Sequence, residues 1–390
     1  MKIAVVCDSF KGSLTSKDAC AAVKDGLLRC NKNFEVLSLP FADGGEGTSR
    51  CFYDILGGQL RKAAVHDPLL REITAEYTVL PDGTAVIDVA SASGLTLLKS
   101  SERDAVKVSS LGSGELICDA AEHGAKHIIL GLGGSATTDA GTGILYALGM
   151  RFFSEDGVEV LPDGQNMIRV KKIRRTENFE RFKDIKFTLA CDVTNPLCGE
   201  NGAAYVFSPQ KGASKNDVKL LDDGLRNIGE IFEKASGKKI INLPGAGAAG
   251  GIGGGLSAFL NCELQSGFDV LARAASLEDK IRRSDAVITG EGKTDRQTLF
   301  GKLPKRVSDI AEKFGVPCIL LSGDVENDIS AEKLGVCEIH KIKENGISLE
   351  HCMKNAASLL SEKAFAIGKN SKIINKQYSR KQEKMRENER

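Results

Sequence analysis

The chain has 390 residues, 42% of them hydrophobic, enough to bury the cores of two or three domains. Its 53 Lys and Arg stand against 52 Asp and Glu, which removes any global electrostatic case for nucleic acid or anionic membrane as partner. Eleven cysteines are scattered without a CxxC pair, which argues against a disulfide frame or a zinc site and fits reduced thiols in the cytoplasm.

The first apolar run, residues 3–7, is too short for a signal-peptide core and reads as a strand. No later run approaches the length of a membrane span. Residues 16–29 carry Ala19, Ala22, Val23 and Leu27 at helical spacing, with Ser16 as the expected N-cap. Residues 73–89 alternate around Pro81-Asp82-Gly83, a hairpin signal, and residues 152–162 hold a second turn at Glu155-Asp156-Gly157. Further helical stripes cover 111–123, 217–236, 303–314 and 349–367. Strands alternating with helices predict βαβ units and a largely parallel sheet. The expected architecture is α/β in two domains. Residues 1–66 plus 280–368 form a discontinuous Rossmann-like domain, left at His66-Asp67-Pro68. Residues 67–279 form an inserted mixed α/β domain. Residues 369–390 carry eight Lys or Arg and three Glu, a net of +5 that leaves the remainder near −4. This basic tail reads as a solvated or frayed helix.

Six apolar runs stop in loops of Gly, Asp, Ser and Thr. They open into Asp8-Ser9-Phe10-Lys11-Gly12-Ser13, Ala42-Asp43-Gly44-Gly45-Glu46-Gly47-Thr48 and Gly131-Leu132-Gly133-Gly134-Ser135-Ala136-Thr137-Thr138-Asp139. The other three are Cys191-Asp192-Val193-Thr194-Asn195-Pro196, Gly290-Glu291-Gly292-Lys293-Thr294-Asp295 and Ser322-Gly323-Asp324. Open α/β sheets bind ligands beyond the carboxyl ends of their strands. Glycine lets backbone N–H groups approach an anion, and the carboxylates can hold a metal or act as bases. Together the loops describe a phosphate-and-metal site.

Bland readings compete with each motif. Gly245-Ala246-Gly247-Ala248-Ala249-Gly250 matches GxGxxG, but Pro244 interrupts the junction; a loop lining a cleft or tight helix–sheet packing explains it better than a dinucleotide. Gly292-Lys293-Thr294 resembles the end of a phosphate-binding P-loop, yet Val287 stands where that motif needs glycine. His123 and His127 have helical metal-ligand spacing but no third ligand. Cys191 and Cys198 read as core thiols rather than nucleophiles. Asp43 and Asp192 could each be a turn acid alone; Asp8, Asp43, Asp192 and Asp295 at four strand ends are a stronger collective signal.

The loops together resemble one family, the bacterial type-1 glycerate kinases. Besides the loops above, Leu197-Cys198-Gly199, Phe207-Ser208-Pro209-Gln210-Lys211-Gly212-Ala213 and residues 244–251 carry the resemblance, which spans roughly residues 1–370 in order. Thr138 falls where Asn is expected and Lys293 where Arg is usual. The resemblance implies ATP and Mg²⁺-dependent phosphorylation of D-glycerate in a cleft between two α/β domains. It points to 2-phosphoglycerate as product, with 3-phosphoglycerate as the alternative. D-glycerate is then the partner, with no nucleic acid and no membrane; a homodimer is compatible with this.

Phosphoryl transfer needs positioning and charge neutralisation more than covalent chemistry. Lys11 is the expected cation for a phosphate or carboxylate, with Arg296 second because a planar fork suits a carboxylate. Asp192 and Asp295 are candidates for base and Mg²⁺ ligand, their roles interchangeable at this stage. Gly133, Gly134 and Ser135 would supply N–H and hydroxyl donors, and Ser9, Asp43, Gly290, Glu291 and Gly292 would line the substrate and phosphates. A non-catalytic sensor of a hydroxy acid or nucleotide would need the glycine loops but not the carboxylates. An NAD-linked hydroxy-acid dehydrogenase would need the Gly245 fingerprint to hold pyrophosphate.

Overall fold

The apolar run at the N-terminus forms the strand Lys2–Cys7, with every residue from Ile3 to Cys7 buried. A computed structural model describes residues 1–388 apart from Asp43 and Asn345, with side chains described to Glu383. Two compact units emerge, Met1–Ala42 with Leu271–Arg390, and Asp43–Val270.

In the first unit five strands pair in the order Glu338–Lys341, Cys318–Ser322, Ala286–Gly290, Lys2–Cys7, Glu35–Pro40. Every pairing is parallel, as near-continuous apolar runs predict. The N-terminal strand thus shares its sheet with strands nearly three hundred residues away, as expected. Helix Ser16–Cys30 lays Ala19, Val23 and Leu27 on the core formed by Ile3, Val5, Ile288 and Ile319. Each large aliphatic side chain so buried contributes about 1.5–3 kcal/mol. Thr15, not Ser16, caps this helix, accepting from the Asp18 N–H at 3.1 Å. The buried Ser16 hydroxyl instead donates to the Phe41 carbonyl at 2.8 Å. Gly26 lets the helix touch Ala356–Asn370, because a Cβ there would lie 2.0 Å from the Ser361 carbonyl oxygen. The expected helix over 349–367 is two helices, Leu349–Lys354 and Ala356–Asn370, broken at Asn355.

The basic tail is helix Lys372–Asn388. It is anchored rather than frayed at its start: Ile374 is fully buried, and Tyr378 meets Phe34 edge-on with ring centroids 5.8 Å apart. Lys381 reaches Asp285 at 2.7 Å. Ile373 packs against the same core, so three apolar side chains dock an otherwise charged helix.

In the second unit six strands run Asn261–Gln265, Lys186–Ala190, His127–Gly131, Ala85–Asp88, Glu72–Val79, Gln59–His66. The first four are mutually parallel and the last two pair antiparallel. The Pro81-Asp82-Gly83 turn closes the expected hairpin through Leu80 N–H to Thr84 O at 2.8 Å. Helix Lys215–Ser236 begins on a reciprocal cap between Ser214 and Asp217 and ends at Gly237, whose φ of 73° is left-handed. Leu225, Ile228 and Phe232 face the core beside Leu130, Phe187 and Leu189.

The boundaries differ from the expected 66 and 280. The first crossing falls at 42/43 because strand Gln59–His66 hydrogen-bonds along its length to Glu72–Val79 of the second sheet. The return falls at 270/271, inside the stretch assigned to the insertion.

The GxGxxG segment opens helix Ala248–Phe259, kinked by left-handed φ at Ala249, Gly250 and Gly251. A Cβ at Gly250 would lie 2.0 Å from the Thr137 carbonyl oxygen, and one at Gly255 would lie 1.9 Å from that of Ala140. These glycines are used up in backbone-to-backbone packing, and the dinucleotide reading loses its basis.

Candidate functional site

Parallel strands deliver their following loops to one sheet edge. In the first unit the adjacent strands Cys318–Ser322, Ala286–Gly290 and Lys2–Cys7 bring three of the loops together. Asp8 N–H donates to Gly290 O at 2.9 Å, and Gly323 N–H to Glu291 O at 3.0 Å. A Cβ at Gly290 would lie 2.2 Å from Leu321 O, and one at Gly292 only 3.2 Å from the Lys11 amide nitrogen. Glycine is therefore what lets the loops converge. Lys11 is exposed on the turn between Phe10 and Leu14, whose backbones bridge. Ser9 is half-buried, its N–H donating to the Asp8 carboxylate at 2.6 Å.

Glu291 is buried and accepts from the Thr298 hydroxyl at 2.7 Å. Burial pushes its carboxyl above the ordinary range, against the pull of the Thr298 and Thr294 hydroxyls and Lys302. Asp295 caps the turn Arg296–Phe300, accepting from Gln297 N–H at 2.9 Å, and lies 3.5 Å from Lys302 Nζ. Arg296 is exposed and paired with Asp328 at 2.5 Å, and Lys293 with Glu326 at 2.8 Å. Arg296, the second candidate cation for a carboxylate, has its Nε on Asp328.

In the second unit the adjacent strands His127–Gly131 and Lys186–Ala190 carry two more loops. Gly133 N–H, an expected ligand donor, donates to Gly44 O at 3.0 Å. Gly134 is exposed, with a left-handed φ of 77°. Among the described residues no acceptor meets its amide or that of Ser135. Ser135 is buried. Asp192 is exposed, two residues beyond the strand end. Asp43 lies outside the described residues. Burial pushes the Cys191 thiol up to about 11, which fits the reading of a core thiol. His123 Nδ1 bonds the Asp119 carbonyl and His127 Nε2 the Thr188 hydroxyl; one ends a helix and the other starts a strand, so the helical spacing is not realised.

The candidates thus divide between the units: Ser9, Lys11, Gly290, Glu291, Gly292, Asp295 and Arg296 in the first, and Gly133, Gly134, Ser135 and Asp192 in the second. The Glycerate kinase family matches residues 3–372. The chain belongs to the glycerate kinase family. It is 38% identical to a glycerate kinase of Halalkalibacterium halodurans over 93% of this chain and 96% of that one. It is 41% identical to the glycerate 2-kinase of Escherichia coli, over 84% and 87%. A crystal structure from Salmonella typhimurium LT2 bearing the name glycerate kinase 2 superposes with a TM-score of 0.83 at 35% identity, covering 94% of this chain and 97% of the other. The match makes this chain a kinase.

Three buried charged residues of this glycerate kinase family member brace the candidate loops without having been singled out from the sequence. Asp139 accepts from the Ser110 hydroxyl at 2.7 Å and from the N–H groups of Ser110 and Gly141, fixing the end of the Ser135 loop. Lys211 donates to Ser135 Oγ at 3.0 Å and to Thr137 O at 2.7 Å. Asp88 accepts from the N–H groups of Gly47 at 2.9 Å and Ser49 at 3.0 Å. Lys211 stands inside one of the matched motifs, which was the available signal; a lone lysine or aspartate in a polar stretch otherwise reads as surface.

Burial pushes the Asp88 carboxyl up to about 7, against the two backbone donors. Between its ordinary value near 4 and pH 7 the folded state therefore holds a proton that the unfolded state has released. Stability from this group falls as pH rises through that window. Asp88→Asn removes the titration and adds a pH-independent loss, because its amide meets one N–H with another. The melting temperature of the variant minus that of the wild type is expected to increase from pH 5 to pH 8. A constant difference would contradict the raised carboxyl.

Proposed function

We propose that this chain transfers the γ-phosphoryl group of ATP to D-glycerate, forming 2-phosphoglycerate, with Mg²⁺. The observation that carries the reading is the family match over residues 3–372. The glycine- and carboxylate-bearing loops at the ends of parallel strands in both units fit it. The 41% identity to a relative named glycerate 2-kinase favours the 2-hydroxyl.

Lys11, exposed in its loop, meets a phosphoryl oxygen or the glycerate carboxylate. Gly134, with its left-handed φ, and Ser135 offer amides to an anion, while the Gly133 amide is held by Gly44. Asp192, exposed at its strand end, takes the proton from the attacking hydroxyl. Asp295, held by its cap and by Lys302, would ligate Mg²⁺ on the nucleotide phosphates. Among the described residues no three His, Cys, Asp or Glu side chains cluster as a metal cage. Mg²⁺ on nucleotide phosphates commonly takes only one or two protein carboxylates, so the residues fit it. When bound, Mg²⁺ neutralises phosphate charge. Glu291, buried and accepting from the Thr298 hydroxyl at 2.7 Å, braces the loop that carries Asp295.

Enolase distinguishes the products, since it dehydrates 2-phosphoglycerate and not 3-phosphoglycerate. Adding enolase alone to the product is expected to yield phosphoenolpyruvate. Product that enolase leaves untouched until a phosphoglycerate mutase is added would assign the 3-position instead.

A further inference from the structure

Lys211 is a buried cation held against the backbone of a loop. It ends the short turn Pro209–Lys211, which follows helix Ala203–Phe207. The next residue, Gly212, has a left-handed φ of 95°, and a Cβ there would lie 2.4 Å from the Arg103 carbonyl oxygen. That turn buries Lys211 to 4% exposure. Its Nζ donates to Ser135 Oγ and Thr137 O, and Ser208 one turn earlier meets the Thr138 hydroxyl at 2.9 Å. Residues 208–211 therefore hold the loop 135–138 at three points.

Two further observations set this apart from ordinary packing. The Thr137 hydroxyl, fully buried on the same loop, has no hydrogen-bond partner among the described residues. The Lys211 ammonium has three N–H groups, and the described residues give it two acceptors. A buried ammonium is costly unless paired with a negative charge. The negative charge acting on it is that of Asp139, whose carboxylate already accepts from Ser110, Gly141 and Gly143.

We propose that Lys211 is the positioning cation of the Ser135 loop, setting the loop's geometry and placing positive charge beneath the anionic group that the loop binds, a nucleotide phosphate or the glycerate carboxylate. The proposal rests on the kinase reading given above. In the ligand-free protein burial brings the lysine down to about 7, with Asp139 opposing that fall. An anion on the loop stabilises the charged form.

The test is Lys211→Met, with binding of Mg·ADP and of D-glycerate measured by calorimetry and kcat and KM measured for ATP and for glycerate. A folded variant is expected to bind one of the two ligands at least about tenfold more weakly, as loss of a charge-assisted contact implies. The other ligand should bind unchanged. Which affinity falls identifies the anion seated on the loop. A folded variant with both affinities and both KM values unchanged would overturn the proposal, since a merely structural lysine would lower only the melting temperature. Where Lys211→Met does not fold, Ser135→Ala removes the bridging hydroxyl and is expected to weaken the same ligand; unchanged affinities there overturn the proposal equally. A wild type that binds these ligands without releasing ADP would sink the kinase reading and still leave the loop's anion affinity to be read.

Discussion

Asp192→Asn is expected to lower kcat by at least about a hundredfold, the low end of what a positioned general base contributes. The side chain is exposed beyond the strand Lys186–Ala190, so the substitution leaves the core intact. The melting temperature should barely move. Asp295→Asn is expected to lose a similar factor. Its cap on the turn Arg296–Phe300 survives, because Asn caps about as well as Asp. For both variants a kinetic loss without a stability loss is the signature of a group that acts on substrate or metal. Near-wild-type turnover in both would remove the two acids from the chemistry.

Gly255→Ala is expected to destabilise the chain, against the sign that helix propensity alone gives. Gly255 lies inside helix Ala248–Phe259, where alanine would be favoured by about 1 kcal/mol. A Cβ there would lie 1.9 Å from the Ala140 carbonyl oxygen, and backbone cannot swing aside as a side-chain tip can. Ala140 and Ala249 both hold left-handed φ, of 53° each, a strain that persists only where packing fixes it. The Ala140 N–H donates to Gly250 O at 3.0 Å, so displacing the helix breaks that link as well. A net loss of at least about 2 kcal/mol is expected, a fall of about 4 °C or more in melting temperature. A variant melting at or above the wild type would mean that the helix and the Ala140 segment part readily.

Local signals proved the most legible. Each apolar run ending in glycine and acid became a strand with its loop at the carboxyl end, because burial and the need for φ freedom both write themselves into short stretches of sequence. The crossing at 42/43 was hidden, since residues 59–66 look like any strand and only their pairing with Glu72–Val79 decides the sheet. The docked tail was hidden for a similar reason: Ile373, Ile374 and Tyr378 are few apolar residues in a charged segment, and Phe34, which Tyr378 meets, lies far away in sequence. The pairing of Arg296 with Asp328 was not legible, because Asp328 lies 32 residues away in sequence. Lys211 was passed over because its burial depends on the Gly212 turn and the Ser135 loop meeting in space. Family resemblance, not spacing, supplied glycerate.

The most direct measurement is ADP release by the purified chain with Mg·ATP, comparing D-glycerate, L-glycerate and no acceptor. ADP is expected to appear with D-glycerate in equal amount to phosphoglycerate, far faster than with L-glycerate or without acceptor. No D-glycerate-dependent ADP release from folded protein, or NAD⁺ reduction with a hydroxy acid in its place, would contradict the account.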